Sequence, residues 1–152
     1  MIPEIKALTF DTGGTILDWH GGISAALAKA GARQRYVIVS FTILTTSLII
    51  DIGRRNAFNW DCVVSCEMIG SYKPNPEAYQ TCARWLGLKP SEVLMVACHN
   101  FDLRAARKVG HRSAFVRRPQ EWGTAGPLDP TPDASHDIVV DTFGDLAETL
   151  GC

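Results

Sequence analysis

Short apolar runs rich in β-branched residues recur along the whole chain, and helical patterns separate them. The runs are Ile5–Phe10, Tyr36–Phe41, Asp61–Ser65, Val93–Ala97, Ser113–Val116 and Ile138–Val140. Between them lie Ile23–Ala30, closed by Gly31, then Thr46–Asn56 and a segment from Asn75 to about Leu86 that stops at Gly87. Asn75 reads as an N-cap with Pro76 at the first helical position. Asp102–Val109 reads as a further helix stopped by Gly110, and Thr142–Asp145 as a capping box opening a C-terminal helix. Pro119–Ser135, dense in Pro, Gly and Asp, reads as a surface loop. Strands alternating with helices predict an α/β fold, a parallel sheet of five main strands and a short edge strand, with helices on both faces. Ligands bind such sheets beyond the carboxyl ends of the strands. Asp11, Ser40 and Thr42, the Ser65–Lys73 stretch, and Cys98–Asp102 all fall there.

Several function classes drop out on composition. The chain has 152 residues, a length that suits one domain, and 15 basic residues balance 16 acidic ones. That balance gives no phosphate-neutralising surface, so no nucleic-acid partner is expected. With 46% apolar residues, intrinsic disorder is excluded as well. The most apolar stretch, Tyr36–Ile50, is short and carries Ser40, Thr42, Thr45, Thr46 and Ser47, so no membrane span is expected. The first residues lack the pattern of a secretory leader. Five cysteines, an odd number, fit reduced thiols and a cytoplasmic protein. Cys62 and Cys66 have no second pair at zinc-site spacing, and no metal is expected.

Three segments can carry chemistry. Asp11 ends the first run and precedes Thr12-Gly13-Gly14-Thr15, where glycines let a backbone turn sharply against a ligand. The bland alternative is a carboxylate capping a turn. Lys73 lies in Ser71-Tyr72-Lys73-Pro74-Asn75-Pro76, whose prolines can fix an ammonium in place, although most lysines are simply exposed. Asp102 follows Cys98-His99-Asn100-Phe101 and either serves a site or caps the helix after it.

Taken together and in order, these segments resemble the haloacid dehalogenase superfamily, most closely the 2-haloacid dehalogenases, nearly from end to end. Phe10-Asp11-Thr12-Gly13-Gly14-Thr15 is similar to the nucleophile loop, Tyr72–Tyr79 to the lysine motif, and Val96–Asp102 to the fourth motif. Ala114–Pro119 is also typical. The resemblance implies a Rossmann-like core over residues 1–152 and hydrolytic dehalogenation of short 2-haloacids through an aspartyl ester. Asp11 would be the nucleophile, Lys73 would orient it, and Asp102 would position or activate water. Thr12, Gly13, Thr15, Ser40, Thr42, Tyr79, His99 and Asn100 would line the substrate site, with Thr42 slightly preferred over Ser40 as the second-motif hydroxyl. No cofactor is implied.

The chain departs from the pattern in three places. Superfamily phosphatases carry a second Asp two residues after the nucleophile, where this chain has Gly13. A leaving alkoxide needs a proton donor and a leaving halide does not. Magnesium held by Asp11 and Asp102 belongs to the alternative, a phosphatase. The Asn expected three residues before Asp102 is His99, able to supply hydrogen bonds or act as a base near neutral pH. The dehalogenases' helical cap is missing, because Thr42 follows Asp11 by only 31 positions. The halide-gripping arginine goes with it, and Arg33 and Arg35 stand at the wrong end of a strand to replace it. A core without its cap could turn over little, or could pair as a homodimer through Trp19, Ile16 and Leu17.

Overall fold

The computed structural model describes residues 4–12, 35–56 and 59–152. Six strands form one sheet: β1 Ala7–Phe10, β2 Val37–Thr42, β3 Cys62–Ser65, β4 Val93–Ala97, β5 Arg112–Val116 and β6 Ile138–Val140. Their order is β3-β2-β1-β4-β5-β6, and every neighbouring pair is parallel. The helices are α1 Thr46–Arg55, α2 Cys66–Ile69, α3 Pro76–Trp85, α4 Asn100–Lys108 and α5 Phe143–Thr149. Most element ends fall within a residue or two of the sequence reading. The four-residue α2 was not anticipated, being too short to show a periodicity. α4 starts two residues earlier than expected, with His99 at its N-cap. The Ile23–Ala30 helix, the Gly13–Thr15 turn and Trp19 lie outside the described residues.

Both faces of the sheet are covered, which is why its strands read as unbroken apolar runs. Alternate residues feed two cores. On one face Leu8, Phe10, Ile38, Leu94, Val96 and Val116 pack with Phe143 and Leu146 of α5. On the other, Val39, Phe41, Met95 and Phe115 pack with Tyr79 and Cys82 of α3 and Leu103 of α4. Local signals set the helix ends. Asn75 Oδ1 accepts the Glu77 N–H at the start of α3. Thr142 Oγ1 accepts from Asp145 N while Asp145 Oδ2 accepts from Thr142 N, the expected capping box. Past α3 the chain reverses at Gly87, φ +68°, so that Leu88 N–H reaches Ala83 O. A side chain there would be strained.

Topology fixes where a site can form. From β1 the chain passes to β2 on one side, and after β3 it crosses back to β4 on the other side of β1. The C-terminal ends of β1 and β4 therefore flank the crevice where such sheets bind ligands. Asp11 follows β1, and its N–H extends the ladder to Val96 O. The His99–Asp102 turn follows β4.

His111, just before β5, is nearly fully buried, with its ring edge-on to Tyr79. Burial pushes its imidazole down to about 4. An unfolded His111 takes up a proton near pH 6.5, whereas the folded one stays neutral. Its contribution to stability is therefore complete above pH 6.5 and falls away between pH 6.5 and 4, by about 3 kcal/mol in all. We expect urea titrations of His111→Phe to show a shallower acid limb than the parent protein in that window. Parallel limbs would mean that the folded ring titrates normally.

Candidate active site

The Lys73 ammonium lies between two carboxylates. Its Nζ donates to Asp11 Oδ1 at 2.8 Å, Asp102 Oδ2 at 2.7 Å and Phe41 O at 3.2 Å. It also sits 5.0 Å from the centre of the Phe41 ring. All three charged side chains are at most 8% exposed. Three separate elements bring them together: Asp11 from the end of β1, Lys73 from the loop between α2 and α3, and Asp102 from the first turn of α4. Asp102 does not cap its helix, because both its oxygens are directed into the cluster. Oδ1 accepts from Tyr79 OH and Oδ2 from Lys73.

The protonation states follow from this arrangement. Burial by itself would raise the Asp11 carboxyl, but the Lys73 charge and the hydrogen bonds from His99 and Lys73 outweigh it and hold Asp11 well below the usual carboxylate range. Asp102 is pushed up, by burial first and by the neighbouring Asp11 charge, against the pull of Lys73. Burial would discharge Lys73, yet the two carboxylates keep it an ammonium. Tyr79 remains a phenol because burial and Asp102 both oppose its ionisation. One carboxylate of the pair thus stays ionised, while the other holds its proton more readily.

His99 lies against Asp11 as well. Its Nδ1 faces Asp11 Oδ2 at 3.6 Å and its Nε2 faces Glu121 Oε1 at 2.8 Å. The hydrogen bond to Asp11 and then Cys98 raise the imidazole to about 11, against burial and with help from Glu121. These neighbours favour the charged form of the ring over the neutral base that its sequence position also allows. Glu121, which shapes this arrangement, escaped the sequence reading. The one signal was an acid placed five residues beyond the end of β5, inside a stretch whose composition reads as an ordinary loop.

The remaining site candidates are engaged as follows. Thr12 and Ser40 share a 2.7 Å hydrogen bond and are wholly buried. Thr42 ends β2, and its Oγ1 accepts from Leu44 N at 3.0 Å. Tyr79 is fully buried and its hydroxyl donates to Asp102, which steadies that carboxylate. Asn100 is taken up in holding the 129–136 segment: its N–H donates to Asp129, its amide to Thr131 O, and its Oδ1 accepts from Asp133 N and His136. Arg35 bonds the carbonyls of Leu150 and Gly151, far from the crevice. Gly13, Thr15 and Arg33 lie outside the described residues.

Two constellations among the described residues carry metal-type donors. Lys73 occupies the space between Asp11 and Asp102. Cys98, His99 and Glu121 lie within 4.8 Å of one another. The Cys98 sulfur, however, is 3.9 and 3.6 Å from the two ring nitrogens, beside the ring and off either lone pair. The five cysteines form no disulfide. Among the described residues no helix is long and apolar enough to cross a membrane.

Residues 45–116 match the family described as haloacid dehalogenase-like hydrolase. The chain carries a haloacid dehalogenase-like hydrolase domain. It is 30% identical over 117 residues to the (S)-2-haloacid dehalogenase of Xanthobacter autotrophicus, covering 66% of this chain and 46% of that protein. It is 27% identical over 145 residues to a phosphoglycolate phosphatase of Pectobacterium atrosepticum, covering 95% and 59%. The chain thus spans about half the length of the curated relatives it matches. Among solved structures, an L-2-haloacid dehalogenase superposes with a TM-score of 0.84 at 22% identity, over 97% of this chain and 99% of the other. A defluorinating L-2-haloacid dehalogenase gives 0.83 at 25% identity, over 97% and 96%. The six-stranded parallel sheet is the haloacid dehalogenase-like core.

Removing Lys73 would leave two carboxylates facing each other in a dry site. Lys73→Met is expected to cost about 3–5 kcal/mol at pH 7, as for other broken buried pairs. The loss should shrink in acid as the carboxylates take up protons. Lys89→Met, at an exposed position, should stay within about 0.5 kcal/mol. Equal unfolding midpoints for the two variants in urea would show that the Lys73 cluster carries no stability.

Proposed function

We propose that this hydrolase domain dehalogenates short 2-haloacids through an ester on Asp11. The observation that carries the reading is the Asp11–Lys73–Asp102 cluster, in which one carboxylate is held ionised by a fixed ammonium and the second is biased toward taking a proton. An Asp11 oxygen attacks carbon 2, the carbon–halogen bond breaks, and the halide leaves with the electron pair. Water then attacks the ester carbonyl carbon, and Asp102 accepts one of its protons. Lys73 and His99 are placed to stabilise the negative charge that gathers on the Asp11 oxygens. Collapse releases the 2-hydroxyacid oxygen, which takes its proton from Asp102. The second water proton leaves the regenerated Asp11 carboxyl for solvent.

Gly13 favours this reading over phosphoryl transfer. A phosphate ester's leaving alkoxide would find no general acid two residues past the nucleophile, whereas a halide needs none. Lys73, lying between the carboxylates, supports chemistry without magnesium. The phosphatase reading keeps its support from the phosphatases among the relatives, and the short β1–β2 interval supports a capless core of low turnover.

Halide release from 2-chloropropionate and bromoacetate tests the proposal. We expect release that survives a chelator and drops by at least about 10³-fold in Asp11→Asn, which removes the nucleophile without changing its shape. Turnover of p-nitrophenyl phosphate only with magnesium, and none of the haloacids, would favour the phosphatase. A fully active Asp11→Asn would refute the nucleophile assignment.

A further inference from the structure

His99 is held between two carboxylates, and a carboxylate can only accept. Nε2 stands 2.8 Å from Glu121 Oε1 and Nδ1 faces Asp11 Oδ2. A neutral imidazole has one N–H and would turn a lone pair on one of these acids. Nε2 bonds Glu121, and Nδ1 lies within ion-pair distance of Asp11, so two carboxylates on opposite ring nitrogens favour the charged ring. The Glu121 side chain is 2% exposed and His99 10%. Glu121 Oε2 is buried, and none of the described residues offers it a donor that competes with His99 for the carboxylate. The imidazole is further fixed by stacking on Phe101, with centroids 5.5 Å apart and planes at 23°.

We propose that Glu121 is a positioning residue that holds His99 as an imidazolium against Asp11, so that a second buried cation faces the nucleophile opposite Lys73. This deepens the haloacid reading and rests on it for its catalytic part. Asp11 Oδ1 is bonded by Lys73, while Oδ2 faces His99 at the looser distance of 3.6 Å. Once Asp11 is esterified, negative charge develops on its carbonyl oxygen as water attacks, and donors already aimed there lower that barrier. Among the described residues, the titratable groups facing the ring are Asp11 after β1, Cys98 at the end of β4, and Glu121 after β5. Lys73 and Asp102 lie one contact further, and Asp129 on the adjoining loop is engaged by the Asn100 N–H. The imidazole is raised to about 11, by Asp11 and Cys98 first, with Glu121 adding to the rise.

Glu121→Gln is the informative change. Its amide can donate to Nε2 while Nδ1–H still serves Asp11, so the neutral ring becomes fully satisfied. Ring ¹⁵N shifts across a pH titration read His99 directly, whether or not any haloacid is turned over. We expect the parent ring to stay charged through pH 9, and the Glu121→Gln ring to lose its proton at least one unit lower, a tenfold change in its ionisation constant. Halide release from 2-chloropropionate should then fall at least about tenfold between pH 6 and 9 in Glu121→Gln, through kcat rather than KM. The parent should hold level, and Glu121→Asp should recover part of the loss. A neutral His99 in the parent at pH 8 would overturn the proposal, as would a ring that titrates alike in both proteins. So would a ring that discharges in Glu121→Gln with no change in the rate profile. If the parent releases no halide at any pH, the haloacid reading fails, and the ¹⁵N titration still decides whether Glu121 holds the charge.

Discussion

One ammonium between two buried carboxylates organises this molecule. Neither Asp11 nor Asp102 could remain so dry without Lys73, and Lys73 could not keep its charge there without them. The three side chains come from three separate stretches of chain, so the cluster also holds the end of β1, the loop before α3 and the first turn of α4 in one arrangement. Such pairs seldom add net stability over an apolar core. The cluster is better explained by chemistry, because it sets two like groups to different protonation tendencies a single cation apart.

The sheet explains why this occurs at one place. Reversal of strand order on either side of β1 opens a crevice at the carboxyl ends of β1 and β4. Residues after β1, β3, β4 and β5 all reach it, and the two cores fill both faces of the sheet below. The supports beneath the crevice are themselves hydrogen-bonded: Thr12 to Ser40, Tyr79 to Asp102, and Asn100 to the 129–136 segment. The site is therefore set on a packed base and not on free loops.

Much of this was legible in the sequence, for identifiable reasons. β-branched runs buried on both faces leave continuous apolar stretches, and Asn75-Pro76, Gly87, Gly110 and Thr142–Asp145 mark helix ends by local hydrogen bonding or backbone freedom. Those signals are short-range, and they placed the elements to within a residue or two. Asp11, Lys73 and Asp102 stood out because each follows a strand or lies between prolines. What the sequence left open are side-chain partners distant in the chain. Asp102 could serve a site or cap its helix, and it bonds Lys73 and Tyr79. Asn100 bonds the 129–136 segment. His99 could supply hydrogen bonds or act as a base, and Glu121, 22 residues on, is a partner that no local signal announced. No periodicity or propensity reports such a contact.

The account turns on whether Asp11 itself becomes covalently bound. A single turnover in H₂¹⁸O, with enzyme in excess over 2-chloropropionate, reads this by mass spectrometry of the peptide containing Asp11 and of the product. If water attacks an Asp11 ester, one ¹⁸O enters the Asp11 carboxylate and the 2-hydroxyacid leaves unlabelled. Labelled product with an unlabelled Asp11 would mean that water attacks carbon 2 directly, and would contradict the account.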